Sequence, residues 1–271
     1  MGKLDGRVAL ITAGGSGLGK YISKAFIEEG CAVAIASRDM AKLEAAVKEF
    51  EAMGGTAFAV KCDISKEDEV VNMVDATINR FGKIDILVNN TGTPGPICNV
   101  VDMDVQKWKD TIDVDLTGTM LVSKEVLKHM IARGNGGSII MVNAEAATIA
   151  EGWGGYPLRA SYMSVKNGMR GLQAAMAVEN GKYGIRVNAI KPAAIESDRM
   201  MRIMQGYADS KGTTLEEEVE LEKSHYSMKR ITKPEEVAAC ALFLATDDSI
   251  AVTNQVLTCS SGLSLKAAEV S

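Results

Sequence analysis

Histidine is nearly absent from this chain: His129 and His225 are the only two among 271 residues. They stand too far apart in sequence to suggest a metal site, and no metal is expected. The five cysteines (Cys31, Cys62, Cys98, Cys240, Cys259) are odd in number and show no C-x-x-C spacing. That argues for reduced, mostly buried thiols in a cytoplasmic setting. Positive charge is not in excess. A formal net charge of −5 gives no electrostatic reason to bind nucleic acid or an anionic membrane. No apolar run is long enough to span a bilayer, and the opening "MGKLDGRVAL" lacks a signal-peptide core. It also lacks the Ser or Thr at the sixth position that myristoylation prefers. Pro/Gly linkers, repeats and low-complexity blocks are missing too, so residues 1–271 read as one domain.

What is present is 46% apolar and 24% charged residues, the balance of a soluble globular protein. Short apolar runs alternate with longer amphipathic stretches. "RVALITAG", "CAVAIAS", "TAFAVKCD", "KIDILVNNTG", "GGSIIMVN", "GIRVNAIKP" and "TNQVLTCSSG" read as seven strands. Between the second and third, Leu43, Val47 and Phe50 recur at helical spacing. Ser65 is placed to cap the helix after the third strand, and Gly82 to end it. The strands are apolar on both faces and separated by helical segments, which implies βαβ units. The expected fold is a doubly wound α/β (Rossmann) domain, its mostly parallel seven-stranded sheet covered by helices on both faces.

Directly after the first strand, "TAGGSGLG" (Thr12–Gly19) opens a helix. A glycine-rich turn there lets backbone N–H groups and the helix N-terminus approach a pyrophosphate. The end of the second strand reads Ser37-Arg38 where a fold preferring NAD usually carries an acidic residue. Arg38, with Ser16 and Lys20 nearby, suits a 2′-phosphate, although Asp39 weakens the positive field. This favours NADP(H) over NAD(H).

These stretches, with "ASYMSVK" (Ala160–Lys166), closely resemble the short-chain dehydrogenase/reductase family from Leu4 to about Leu263. "TAGGSGLG" is similar to that family's T-G-x-x-x-G-x-G, with Ala13 in the first glycine position. Asp63 matches its adenine-contacting acidic residue. "NNTG" (Asn89–Gly92) matches its N-N-A-G, Tyr162-x-x-x-Lys166 its signature pair, and "KPAAIES" (Lys191–Ser197) the segment that holds the nicotinamide carboxamide. The resemblance implies a cofactor site built from Ala13, Gly14, Ser16, Gly17, Leu18, Gly19, Ser37, Arg38, Asp63, Ile64, Asn90, Gly92, Tyr162, Lys166, Pro192, Ile195 and Ser197. It also implies that Tyr162 is the acid/base, its phenol brought into working range by the Lys166 ammonium one helical turn away.

Two further family positions are changed. Ala144 stands where the family has the serine that hydrogen-bonds the substrate oxygen, and Asp115 stands where it has an asparagine holding a relay water. Asn143, Glu145 or Thr148 could supply the missing polar group. Asp115 could alternatively be a structural hydrogen bond to backbone at a helix kink. Ala193, and "TCSSG" in place of D-G-G, also depart from the pattern. A lid is expected over Ser197–Arg230. Met200, Met201 and Met204 either face a bulky apolar substrate there or pack on the core. Trp153 and Tyr156, in the insertion before Tyr162, could wall the pocket. The expected activity is NADP(H)-dependent interconversion of a secondary alcohol and a ketone. The alternatives are reduction of an enoyl or dienoyl thioester, motivated by Asp115, and a non-catalytic cofactor-binding protein, motivated by Ala144. The resemblance further implies a homotetramer or homodimer, pairing long helices over Val105–Arg133 and Tyr162–Tyr183. Residues 264–271 read as a loose tail.

Overall fold

The computed structural model describes residues 2–145 and 158–263. The seven strands appear as β1 (Val8–Thr12), β2 (Ala32–Ser37), β3 (Ala57–Lys61), β4 (Ile86–Asn89), β5 (Gly137–Val142), β6 (Ile185–Pro192) and β7 (Val256–Cys259). All pair in parallel, in the order β3-β2-β1-β4-β5-β6-β7. Parallel neighbours need crossovers, and the intervening helices supply them. Because those helices cover both faces, the strands bury residues on both sides. Val8–Thr12 and Ile86–Asn89 are buried at every position.

Two cores result. On one face, α1 (Gly17–Glu28), α2 (Met40–Ala52) and α9 (Pro234–Ala245) contribute Ile22, Phe26, Leu43, Phe50 and Leu244. On the other, α3 (Glu67–Phe81), α5 (Gly118–Arg133) and α6 (Ala160–Asn180) contribute Met73, Val126, Met130, Val165 and Met169. The strand order reverses between β1 and β4, so the crevice for a ligand lies there, beyond the carboxyl ends of the strands.

Gly82 ends α3 in the left-handed conformation expected of it (φ 79°). Ser65, by contrast, does not cap that helix. Lys66 is the N-cap residue, and the Ser65 hydroxyl donates instead to Asp63 at 2.7 Å. The long helix expected over Val105–Arg133 is also interrupted. Here α4 (Val105–Ile112) runs into a wide π turn at Asp113–Thr117 before α5 begins. Beyond the sheet, α7 (Asp198–Lys211) and α8 (Leu215–Ser224) form the segment expected as a lid. Among the described residues no helix is long and apolar enough to cross a membrane.

Candidate active site

At the carboxyl end of β1 the chain turns sharply. Ala13 adopts φ 52° and Gly17 φ 50°, both left-handed. Ala13 thus keeps the backbone of the glycine it replaces, at the strain a Cβ suffers there. Ser261, in the altered D-G-G segment, does the same at φ 48°, whereas Ala193 has no positive φ. A Cβ on Gly19 would overlap the Ala13 carbonyl oxygen and the Asn90 amide, so that glycine is required for packing. Open space lies over Gly17. Ser16 caps α1 without a side-chain hydrogen bond, leaving the helix N-terminus able to receive a pyrophosphate.

Beside this turn lies a cleft of about 180 Å³ whose lining includes Ala13, Ser37, Arg38, Asp63, Ile64 and Gly92. Residues expected from four separate stretches are therefore brought to one place. Their roles differ from one another. The Asn90 amide donates to the Thr12 and Ala13 carbonyls at 3.1 and 3.4 Å, tying β4 to the turn. Asp63 accepts from the Ser65 N–H and hydroxyl, and the net balance leaves its carboxyl below the usual range despite partial burial. The Asp39 carboxylate turns to α2, accepting from the Lys42 N–H at 3.2 Å and pairing with the Lys42 ammonium at 2.9 Å. Arg38 is exposed and makes no ion pair among the described residues, though its charge helps to lower the Asp63 pKa. Lys20 is not a spare cation, because Glu49 binds it together with Lys24. The cradle, the open helix terminus and the cleft fit a dinucleotide.

Across the crevice, Tyr162 and Lys166 share one face of α6. The Lys166 Nζ lies 5.8 Å from the centre of the Tyr162 ring and donates to the Val142 carbonyl at 2.9 Å. Arg159, just before the helix, stacks its guanidinium 4.7 Å from the same ring centre. Asp115 sits in the π turn, fully buried, and accepts the Thr93 N–H on both carboxylate oxygens at 2.9 Å. Burial raises the Asp115 pKa, against the opposing pull of the Thr93 N–H and the Lys166 charge. Burial likewise pushes the Lys166 pKa down, while Asp115 pushes it up. Asp115 thus makes the hydrogen bond at a helix kink and is also electrostatically coupled to Lys166.

Several residues expected near the substrate have partners within the protein. The Asn143 amide donates to the Lys166 carbonyl at 3.0 Å, and its oxygen accepts from the Ala144 N–H at 2.9 Å. Glu145 is buried in an ion pair with Lys191, 3.1 Å apart, because its backbone N–H joins the Pro192 carbonyl and aligns the two side chains. Met200 and Met204 are buried against Ile231, Leu215 and Val219, since the apolar stripe of α7 needs a dry partner. Met201 remains exposed. Ser197, expected to touch the cofactor, caps α7 by accepting from the Met200 N–H. Pro192 ends β6 and Ile195 bridges to Thr232, so both occupy the carboxyl edge. Thr148, Trp153 and Tyr156 lie outside the described residues, as does the expected tail. Thr93, Val142 and Arg159 were not expected, and Lys191 was expected only as part of the Lys191–Ser197 segment. Only Arg159, three residues before Tyr162, carried a sequence signal that could have exposed it.

A family model described as Enoyl-(Acyl carrier protein) reductase matches residues 12–264. The "Short chain dehydrogenase/reductase astE" of Aspergillus oryzae is 36% identical over 97% of this chain and 96% of its own. The chain belongs to the short-chain dehydrogenase/reductase family. Solved members agree in shape. An actinorhodin polyketide ketoreductase with NADPH superposes at TM-score 0.88, with 30% identity over 97% of this chain and 99% of that one. An NAD+-bound xylitol dehydrogenase superposes at 0.87, with 28% identity over 96% and 100%. This short-chain dehydrogenase/reductase is accordingly an oxidoreductase acting on CH–OH/C=O groups with a nicotinamide dinucleotide, rather than a non-catalytic scaffold.

Proposed function

We propose that the protein is an NADP(H)-dependent oxidoreductase interconverting a secondary alcohol and a ketone on a bulky apolar substrate, with Tyr162 as general acid/base. The observation that carries this reading is Tyr162 beside Lys166, whose ammonium is pinned to the Val142 carbonyl at the carboxyl end of β5. The dinucleotide, when bound, supplies or accepts the hydride. In reduction the Tyr162 hydroxyl gives its proton to the carbonyl oxygen, and in oxidation the phenolate takes one from the alcohol. A buried ammonium beside the ring favours the phenolate. Asn143 and Val142 fix Lys166 from the backbone side, so its charge does not swing away.

The cofactor preference rests on Arg38. It is exposed at the adenine-side cleft, while the neighbouring Asp39 carboxylate is engaged by α2. An exposed guanidinium there suits a phosphate, and the carboxylate that follows β2, Asp39, is turned to Lys42 of α2. Exposed Met201, Ile203 and Tyr207 on α7 support an apolar substrate. Asp115 favours a second reading, reduction of an enoyl thioester, because a carboxylate replaces the relay amide.

The test follows nicotinamide absorbance with NADPH and NADH against bulky ketones, diketones and enoyl thioesters. Wild type, Tyr162→Phe and Arg38→Leu are compared. Turnover with NADPH that collapses in Tyr162→Phe is expected, and Arg38→Leu should shift preference towards NADH. Equal use of both cofactors, unchanged in Arg38→Leu, overturns the NADP(H) assignment. Activity confined to enoyl thioesters replaces the first reading with the second. The protein is further proposed to act as a homotetramer or homodimer; sedimentation as a monomer at micromolar concentration overturns this. Five free thiols support a cytoplasmic setting.

A further inference from the structure

Arg159 reaches the site from a costly piece of backbone. Leu158 before it adopts φ 64°, a left-handed conformation that strains a residue with a Cβ. The Leu158 carbonyl is held there by the Cys98 N–H, which donates to it at 3.0 Å. Arg159 itself is the N-cap of α6, and its side chain makes no capping hydrogen bond. Ser, Thr, Asn or Asp would cap that end better, and a cation there opposes the positive end of the helix dipole. The half-buried side chain instead lays its guanidinium 4.7 Å from the centre of the Tyr162 ring. We propose that Arg159 is a second cation for the Tyr162 phenolate, a positioning residue that acts through Tyr162 alongside Lys166.

This role rests on Tyr162 being the acid/base, and the physical reason is where the charge goes. When the Tyr162 hydroxyl gives up its proton, the negative charge left on the oxygen spreads into the ring. A guanidinium over the ring is attracted to the quadrupole of the neutral phenol, and more strongly to the full charge of the phenolate. Lys166, with its Nζ 5.8 Å from the same centre, does not act alone on that charge. Its ammonium also donates to the Val142 carbonyl and feels the Asp115 carboxylate in the π turn. A carboxylate in that place disfavours a phenolate, and a second cation offsets it.

The other charged groups at this end of α6 are engaged or in solvent. Glu145 and Lys191, at the carboxyl edge of β5 and β6, pair with each other at 3.1 Å. Lys107, Lys109 and Asp110 of α4 are exposed, as is Asp113 of the π turn. Among the described residues, Arg159 and Lys166 are the two cations set against the Tyr162 ring.

The experiment titrates phenolate absorbance against pH on the full chain, with no dinucleotide or substrate added. Subtracting the curve of the matching Tyr162→Phe protein leaves the ionisation of Tyr162. Arg159→Met keeps an apolar stem against the ring and removes the charge, whereas Arg159→Lys keeps a charge. Arg159→Met should move the Tyr162 curve to higher pH by about half a unit, and Arg159→Lys should move it less. An unmoved curve in Arg159→Met overturns the proposal, and so does an equal displacement in Arg159→Lys. Turnover by Tyr162→Phe is measured beside them. If turnover collapses there while the Arg159→Met curve stays in place, the role of Arg159 fails and the acid/base reading stands. If Tyr162→Phe retains turnover, the acid/base reading fails and takes the role of Arg159 with it, even where the curves move.

Discussion

Asp85 and Asp115 are both buried carboxylates, one at each end of the sheet, and they are treated in opposite ways. Asp85 lies just before β4, at the amino ends of the strands. It accepts the Val8 N–H at 2.9 Å and pairs with Arg133 at 2.7 Å and Lys83 at 3.1 Å. Burial pulls its pKa up, but these three partners outweigh burial and hold it below the usual range. Asp115, at the carboxyl ends, has one backbone N–H and a lysine whose own charge is disfavoured by burial, so its pKa rises. At one edge charge serves to hold loops onto the sheet. At the other, two poorly solvated charges are kept close to a tyrosine, and perturbed groups of that kind mark a working site.

The largest expected effect breaks the working edge. Tyr162→Phe should lower kcat/KM by about 10³-fold or more while leaving the urea midpoint near that of wild type; retained turnover would sink the acid/base assignment. Next comes the structural edge. Asp85→Asn leaves Arg133 without its partner and should cost about 3 kcal/mol of stability, read from urea unfolding, with turnover per folded molecule unchanged. The pH dependence follows from the lowered pKa. The stabilisation by Asp85 is full above the ordinary carboxylate range and is lost as pH falls through its depressed folded value. Wild type should therefore lose its advantage over the variant in acid, and a constant gap between them across that range would contradict the ion-pair account.

Asp115→Asn sharpens the comparison further. Removing the carboxylate that raises Lys166 lets the lysine lose its proton at lower pH. The alkaline limb of kcat/KM should move down, by about one pH unit for about 1.4 kcal/mol of lost coupling. An unmoved limb would mean that Asp115 acts only through the Thr93 N–H. The smallest effect is Ala13→Gly, which relieves the left-handed Cβ and should raise stability by about 1 kcal/mol, measured by thermal or urea unfolding.

Much of the fold was legible because it depends on local patterns. Doubly apolar strands, the Gly82 stop and the glycine turn each declare themselves within a few residues. So does the spacing of Tyr162 and Lys166, since residues four apart on a helix always share a face. The direction of isolated polar side chains was not legible. Asn143 and Glu145 looked like substitutes for the absent serine hydroxyl. Their partners, the Lys166 carbonyl and the Lys191 ammonium, lie 23 and 46 residues away and meet them only once α6 and β6 have docked. The π turn at Asp115 was foreseen only as a possible kink. It forms where the Thr93 N–H, from the loop after β4, reaches the carboxylate, a contact no helical period encodes.

The sequence by itself therefore determined the parallel α/β framework, the family, and the Tyr162–Lys166 pair, because strand hydrophobicity and helix periodicity are short-range properties. Tertiary structure alone decided which polar groups are consumed in holding that pair. It also turned Met200 and Met204 inward. Each of those outcomes depends on which distant surfaces meet, and on the cost of burying a polar or charged group without a partner.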